Sequence, residues 1–450
     1  MKKNILSEKI TLFLYFILLS LIGSFLLSKS FAYKNGIPCN YIDALFTSVS
    51  AVCVTGLSTL SMDIYSRTGF IIIMLLIEFG GLGIITFVSF YIALPTKKVS
   101  IVNRKLIRDF FIDDIEYRPR RILKRILTYT LIIQLIGFIL LMCGLYLAKD
   151  ENFIFNALFI SISAFCNAGF STMNNSLSGF AGNKYILSVI MILIILGGIG
   201  FAVITNLVQK IKSFFYTKKE YISVHTKIVI LTTLFLIITG AVYNFIFEFN
   251  YAFNNLPLPQ KILNSLFQSI TLRTAGFETL PQNKFAPPST LLHIVFMFIG
   301  GSSGSIAGGV KTTTVFIAFL YAFNGDEEVN AVIYKKRQIS AQIVNKSITI
   351  ISRSFIILFC SIFLLALAEN VKLTNGTFSS IDIIFECTSA FATVGLSRGI
   401  TGELNFAAKI IIILTMFIGR TGVFAMALKI NKSKNSLNTV SYPKETVMVG

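Results

Sequence analysis

The chain has 450 residues, of which 54% are hydrophobic and 14% charged, and its mean hydropathy is +0.75. Soluble proteins carry roughly 25% charged residues, so the composition excludes a set of soluble domains. The net charge of +19 is concentrated in short connecting segments. Those segments lack the stacking aromatic residues that a nucleic-acid groove needs. We therefore expect an all-α integral membrane protein that binds lipid but no nucleic acid.

The first element predicted along the chain is a membrane helix over residues 10–27, preceded by Lys2, Lys3 and Lys9. Its apolar stretch is too long for a signal peptide, and no small-residue cleavage site follows it. We expect this helix to be retained. Further apolar runs long enough to span a bilayer cover residues 126–147, 185–208 and 410–428.

A short segment recurs four times along the chain, at residues 43–56, 156–169, 264–276 and 382–395. Each copy begins with Asp or Asn, reaches a Phe shortly afterwards, and runs through Ser- and Thr-rich residues to a glycine; the third copy is one residue shorter. Asp or Asn is a good N-cap, and glycine commonly follows the end of a helix. Each segment therefore predicts a short helix that begins at the Asp or Asn.

The flanks of this segment repeat as well. An apolar helix precedes each copy, and a second follows it that carries small residues at 79–83, 196–200, 299–301 and 418–422. The glycine of the segment and the first glycine of that group are 24, 28, 24 and 24 residues apart. The short segment covers roughly 16 Å as a helix, against a bilayer core of about 30 Å, so it must re-enter. The pattern predicts four helix–pore loop–helix repeats around a pseudo-fourfold pore, with eight transmembrane helices.

The predicted boundaries follow from these repeats and from the basic segments between them. Loops rich in Lys and Arg stay in the cytoplasm, so both termini are expected there. The repeats cover 1–96, 122–210, 226–323 and 346–430; the connectors cover 97–121, 211–225 and 324–345, and a tail covers 431–450.

The glycine of each repeat predicts a cation-binding strand. Rings of backbone carbonyls replace the water shell of potassium in known filters, and glycine reaches positive φ at no steric cost. Four strands around one axis would form such a ring, and the C-terminal ends of four short helices would favour a cation there. The predicted ion-binding residues are Val54, Thr55, Gly56, Asn167, Ala168, Gly169, Thr274, Ala275, Gly276, Thr393, Val394 and Gly395.

The sequences CVTG (53–56), TLRTAG (271–276) and FATVGLS (391–397) resemble the potassium transporters grouped as Trk, Ktr and plant HKT proteins. The resemblance covers nearly the whole chain and is closest to the Ktr membrane subunit. It implies potassium uptake across the plasma membrane, a homodimer with one pore per subunit, and a cytosolic ring of nucleotide-binding regulatory subunits. Glycine in all four filters implies a preference for potassium, which is the substrate; no covalent cofactor is implied. Sodium-stimulated uptake occurs in some members, so passive and sodium-coupled flux both stay open.

The second helix of repeat three is interrupted over residues 300–314 by five glycines and three serines. Glycine destabilises a helix by about 1 kcal/mol per position, and serine competes for backbone hydrogen bonds. A close-packing or ligand-binding break is one interpretation; the family resemblance implies a gate beneath the filter. The candidate gate residues are Gly300, Gly301, Ser302, Ser303, Gly304, Ser305, Gly308, Gly309 and Lys311, together with Arg420.

Three ionisable residues lie within apolar segments. Arg420 is expected to hold the gate or to act as a cationic barrier, because charges at that depth usually face protein or water. Glu78 lies at a similar depth and is a candidate partner for it. Arg273 lies within the third filter segment, and we expect it to point away from the pore and to support the end of its helix.

Two other function classes are weaker. A carrier with a midplane site predicts two inverted halves, whereas this chain has four repeats of the same sense. A membrane enzyme would need a nucleophile–base pair, a metal cluster or a phosphate loop, and the glycines before Lys311 do not match the P-loop pattern. The chain is expected not to be an enzyme.

Overall fold

The computed structural model describes residues 3–93, 119–173, 175–215, 221–324, 332–334 and 337–427. Most of the predicted 97–121 connector and all of the 431–450 tail lie outside these residues, as do parts of the other two connectors.

Each repeat contributes a long helix, a short helix and a second helix, which in two repeats is divided. Repeats one and two contain α1 (Lys3–Leu27), α2 (Tyr41–Val52), α3 (Arg67–Ala93), α4 (Pro119–Leu147), α5 (Phe153–Cys166), α6 (Lys184–Ile199) and α7 (Phe201–Phe215). Repeat three contains α8 (Val224–Glu248), α9 (Leu258–Thr271), α10 (Pro287–Phe298) and α11 (Thr312–Asn324). Repeat four contains α12 (Ala341–Ala368), α13 (Asn370–Thr374), α14 (Ser380–Ala392) and α15 (Phe406–Ala427).

The structure departs from the all-α prediction in one connector. Strands β1 (Val332–Tyr334) and β2 (Arg337–Ile339) pair antiparallel between repeats three and four. The ribbon is short, and three-residue strands carry too little periodicity to be visible in the sequence.

The four repeats pack in a closed cycle. Helix α3 packs on α4 and α5, α6 on α9, α10 on α14, and α15 on α2. The contact between repeats four and one includes an ion pair, in which Lys409 Nζ lies 2.6 Å from Asp43 Oδ1. The short helices lie inside this cycle, and the Phe that marks each one in the sequence is fully buried: Phe46, Phe159, Phe267 and Phe385.

The short helices begin earlier than predicted. Helix α2 begins two residues before Asp43, α5 three before Asn156, and α9 six before Asn264. Asp382 is not the N-cap of α14; Ser379 is, and the two residues form a capping box. The N-cap prediction was therefore wrong, because the Asp or Asn lies within the helix. Asp43, for example, accepts hydrogen bonds from Thr59 and Lys409 instead.

The small-residue group does not break every second helix. Helices α3 and α15 continue through it. A Cβ added at Gly80 would collide with the Val52 carbonyl, at Gly197 with that of Phe165, and at Gly419 with that of Phe391. The first glycine in these three repeats therefore lets the second helix lie against the C-terminal end of the short helix.

Three helical stretches of the described chain are long and apolar enough to cross a membrane: 123–147 in α4, α8 and α12. Helices α6 and α7 bend by 104° at Gly200 and make a fourth span if they are counted together. Repeat three was predicted to differ from its siblings, but repeat two is divided as well.

Candidate functional site

The chain leaves each short helix through a strand of three residues that ends in the repeated glycine. We call these the glycine strands: 54–56, 167–169, 274–276 and 393–395. Their four glycines have φ of 100°, 70°, 77° and 97°. The residue two positions earlier also has positive φ, although none of these is glycine: Val54, Asn167, Thr274 and Thr393. The first and third residues of every strand are therefore left-handed. This conformation is strained for a β-branched side chain.

A hydroxyl on the short helix holds each glycine strand. Ser50 and Ser389 accept hydrogen bonds from the backbone N–H of Gly56 and Gly395, each at 3.1 Å. Ser163 and Thr271 donate to the carbonyls of Phe170 and Phe277, each at 2.7 Å. The hydroxyl follows the buried Phe by four residues in all four repeats. This spacing was a signal in the sequence that the prediction of the site did not use.

The four glycine strands lie side by side in a closed ring. A Cβ added at Gly56 would lie 2.5 Å from the carbonyl O of Ala168, and one at Gly169 would lie 2.9 Å from that of Ala275. Likewise Gly276 abuts the carbonyl of Val394, and Gly395 abuts that of Thr55. The order is one, two, three, four and back to one, so all twelve predicted residues come together around one axis.

The interruption in repeat three is a loop over residues 300–311, between α10 and α11. The two ends of the loop are hydrogen-bonded to each other. The Gly300 N–H donates to the Val310 carbonyl, and the Val310 N–H donates to the Phe298 carbonyl. Within it, Lys311 Nζ donates to the Ala307 carbonyl at 2.5 Å. Gly308 lies against the carbonyl of Ala392 and the hydroxyl of Thr393. The loop therefore touches the start of the fourth glycine strand.

The same loop packs against the bend of repeat two. Ser302 donates from its N–H and its hydroxyl to the Gly198 carbonyl, at 2.9 and 3.0 Å, and its hydroxyl also lies 2.8 Å from the Ile199 carbonyl. Phe201 N–H donates to the Gly304 carbonyl at 3.0 Å. The carbonyls that α6 frees where it ends are thus satisfied by the loop.

The remaining candidate residues stabilise the loop itself. The Ser303 hydroxyl lies 2.8 Å from that of Thr313, and the Ser305 hydroxyl donates to the Ser302 carbonyl at 2.7 Å. Gly304 and Gly309 have positive φ. Gly301 has no room for a Cβ beside Ala307.

Arg420 joins the loop to two other repeats. Its guanidinium is buried, donates to the Ile306 carbonyl, and lies 3.3 Å from the carbonyls of Gly80 and Gly81 on α3. The side chain starts on α15 of repeat four, so a single residue connects repeats one, three and four.

The suggested pair between Glu78 and Arg420 is absent among the described residues. Glu78 accepts from Gln134 Nε2 at 2.9 Å and from the Cys166 thiol. Arg420 donates instead to backbone carbonyls, which a residue pattern cannot reveal.

Arg273 immediately precedes the third glycine strand, and its side chain extends toward the loop. Its guanidinium is buried and donates to the Gly300 carbonyl at 3.5 Å. It lines a small cavity with residues of α6, α8 and α9: Ile194, Ile195, Gly198, Ile237 and Ile270.

Comparison with known proteins identifies the fold and the family. The TrkH family of cation transport proteins matches residues 4–442. The chain belongs to the TrkH family. The resemblance predicted from the glycine motifs is thereby confirmed, and the chain is a cation transport protein and not an enzyme.

Relatives of this TrkH-family chain match it along most of their length. The potassium/sodium uptake protein NtpJ of Enterococcus hirae is 33% identical, covering 97% of this chain and 95% of its own. The Ktr system potassium uptake protein D of Bacillus subtilis is 32% identical over 97% and 96%. The crystal structure of the potassium transporter TrkH from Vibrio parahaemolyticus shares the fold, with a TM-score of 0.73 and 17% identity over 93% of this chain and 83% of that one.

Proposed function

We propose that this protein takes up potassium ions through the ring of glycine strands, which acts as its selectivity filter. The observation that carries the proposal is the closed ring, in which four strands of alternating left-handed residues abut one another in cyclic order. Such strands direct carbonyl oxygens toward a common axis, where they replace the water of a cation. The negative C-terminal ends of α2, α5, α9 and α14 add to the attraction.

The 300–311 loop is proposed as the gate of this pathway. It touches the fourth glycine strand through Gly308, and Arg420 and Ser302 attach it to the other three repeats. A segment so rich in glycine can change its backbone conformation with little steric resistance. Movement of the loop would open the space beneath the filter without altering the ring.

The membrane topology proposed here has eight spans, with both termini in the cytoplasm of a cell whose plasma membrane holds the protein. Each repeat supplies two spans, and α6 with α7, like α10 with α11, counts as one divided span. Lys and Arg in the connectors favour their retention in the cytoplasm. The filter then opens to the outside.

The proposed assembly is a homodimer that associates with a cytosolic nucleotide-binding ring. The relatives named as parts of a Ktr system support a second component. Sodium dependence is a further proposal, and it draws support from the relative named as a potassium/sodium uptake protein. Uptake measured with and without external sodium distinguishes sodium-coupled from passive flux.

The substitution that tests the filter is Gly169→Ser. A Cβ there would lie 2.9 Å from the Ala275 carbonyl O on a backbone with φ of 70°, so the ring must deform. We expect the potassium-to-sodium uptake ratio to fall about tenfold, which corresponds to about 1.4 kcal/mol. The assay compares the two ions in cells that lack potassium import. Gly179→Ser is the matched control, since nothing lies within 4 Å of that position. A folded Gly169→Ser protein with wild-type selectivity would contradict the assignment.

A further inference from the structure

In the topology proposed above, the second residue after each filter glycine lies where the pathway opens to the outside. Three of the four repeats carry serine at this position, namely Ser58, Ser171 and Ser397, and the third repeat carries Glu278. The cyclic order of the glycine strands places these four residues around the same opening. The entrance therefore has one carboxyl group and three hydroxyls.

The backbone of Glu278 is fixed to the outer loop of repeat two. Its N–H donates to the Ser176 hydroxyl at 3.0 Å, and its carbonyl accepts from the N–H of Leu177 at 2.8 Å. The side chain is partly exposed, unlike that of the neighbouring Glu386, which is fully buried. The backbone of Glu278 is thus fixed to repeat two, and the residue as a whole keeps partial exposure.

The Ser397 backbone N–H donates to the Glu278 carboxyl group, whereas the surrounding hydroxyls are engaged elsewhere. The hydroxyls of Ser58 and Ser171 donate to the carbonyls of Leu60 and Ser176. The Ser397 hydroxyl donates to Glu386 at 2.8 Å, and Thr401 donates to the same carboxylate. Arg398, the residue after Ser397, is bound to Asp382, to the Gln282 carbonyl and to Thr290.

We propose that Glu278 is the outermost cation-binding residue of the pathway, where a monovalent cation exchanges part of its water for carboxylate oxygen before it enters the ring. This inference rests on the proposed uptake function. A charged group in a narrow entrance raises the local concentration of the opposite ion, and acidic side chains serve this purpose in cation channels. Glu278 would therefore set the apparent affinity for the ion, while the glycine strands set selectivity.

Glu278 lies in the loop that joins the third glycine strand to α10. Its environment there lets protons compete with the cation for the carboxyl group. Burial raises the pKa of Glu278 to about 8, although the hydrogen bond from the Ser397 N–H acts in the opposite direction; the nearby carboxyl of Glu386 on α14 is a smaller cause that also raises it. The carboxylate form, which binds the cation, increases as the external pH rises through this value. Apparent affinity should therefore improve with rising external pH.

Initial rates of rubidium uptake, measured against external rubidium in potassium-import-deficient cells, test the inference. Glu278→Gln should raise KM about tenfold with little change in the maximal rate, and the dependence of KM on external pH should disappear. Glu278→Asp, which keeps the charge, should retain both. Glu151→Gln removes a carboxylate from an exposed loop position and serves as the matched control. If Glu278→Gln does not reach the membrane, Glu278→Ser restores the residue of the other repeats and takes its place.

The outcomes separate this inference from the proposed function. A wild-type KM and pH profile in the Glu278→Gln or Glu278→Ser protein would overturn the role of Glu278 and leave the filter untouched. A change of maximal rate alone, with KM and its pH dependence retained, would also overturn it and indicate a structural role. Absence of potassium and rubidium uptake by the wild-type protein would overturn the proposed function itself.

Discussion

Repeats one and two carry nearly the same glycine pattern and use it differently. Residues 80–83 and 197–200 both read Gly, Gly, an aliphatic residue and Gly. Helix α3 continues through this sequence, whereas the corresponding helix of repeat two turns by 104° at Gly200, where φ is 92°. The difference comes from the 300–311 loop, whose Ser302 and Gly304 bond the backbone that the bend leaves open. A glycine motif therefore permits a bend, and a tertiary partner determines where it occurs.

Extended to all four repeats, the comparison separates a pair with continuous second helices from a pair with divided ones. Repeats one and four have continuous second helices, α3 and α15. Repeats two and three have divided ones, and their breaks lie against each other. Arg420 on α15 connects the first pair to the loop of the second through the Ile306 carbonyl. We expect substitutions that overpack the continuous helices to affect folding and substitutions that detach the loop to affect flux.

Gly419→Ala is expected to have the largest effect. Its Cβ would collide with the Phe391 carbonyl at the end of α14, and neither backbone can move without disturbing the ring. Overpacking of this kind destabilises proteins by about 1–3 kcal/mol, so the thermal unfolding temperature of the purified protein should fall. Gly402→Ala in the same repeat has only an ordinary contact, 3.4 Å from the Thr59 carbonyl, and should unfold like the wild type. Equal unfolding temperatures for the two variants would show that α15 and α14 do not need this close approach.

Shortening the loop by deletion of residues 302–305 should have the next largest effect. The deletion removes the bonds from Ser302 and Gly304 to the bend while the glycine strands keep their hydroxyl supports. We expect basal rubidium flux in proteoliposomes to rise about tenfold, equivalent to about 1.4 kcal/mol at the barrier. The potassium-to-sodium ratio provides the internal control, since it should not change. Flux that is equal or lower at normal expression would argue against a gate here.

Arg420→Ala should produce a smaller change in the same direction, of a few-fold. The substitution leaves the buried Ile306 carbonyl without the Arg420 donor, which costs about 1–3 kcal/mol, whereas the carbonyls of Gly80 and Gly81 keep their N–H partners within α3. Basal flux should rise because the loop loses its attachment to repeats one and four. Arg420→Lys keeps the positive charge but lacks the forked guanidinium. Its flux should lie between that of the wild type and that of Arg420→Ala. Lower flux in Arg420→Ala would instead favour a role in keeping the pathway open.

The sequence predicted four glycine segments that the structure places next to one another, but it could not supply every local detail. Four equally placed glycines were enough to predict the strands, because glycine tolerates positive φ. The matching left-handed conformation of Val54 and Thr274 runs against residue preference, and it is imposed by the helix and hydroxyl that hold each strand. The partners of Arg420 could not be predicted either, since they are backbone carbonyls of residues at least 114 positions away. The N-cap error at Asp43 arose because an acidic residue in the first turn favours a helix N-terminus almost as well as one at the cap.

The contact between repeats four and one has a consequence for how the protein is made. Lys409 pairs with Asp43 across 366 residues of chain, and Gly395 abuts the carbonyl of Thr55. When only the first three repeats have been synthesised, three of the four glycine strands are present. The side of α2 and of the first glycine strand that faces repeat four then has no neighbour. That edge acquires its neighbour only after α14 and α15 have been synthesised and inserted. Until then the membrane holds an unclosed ring, so the filter proposed here forms only after the fourth repeat is in place.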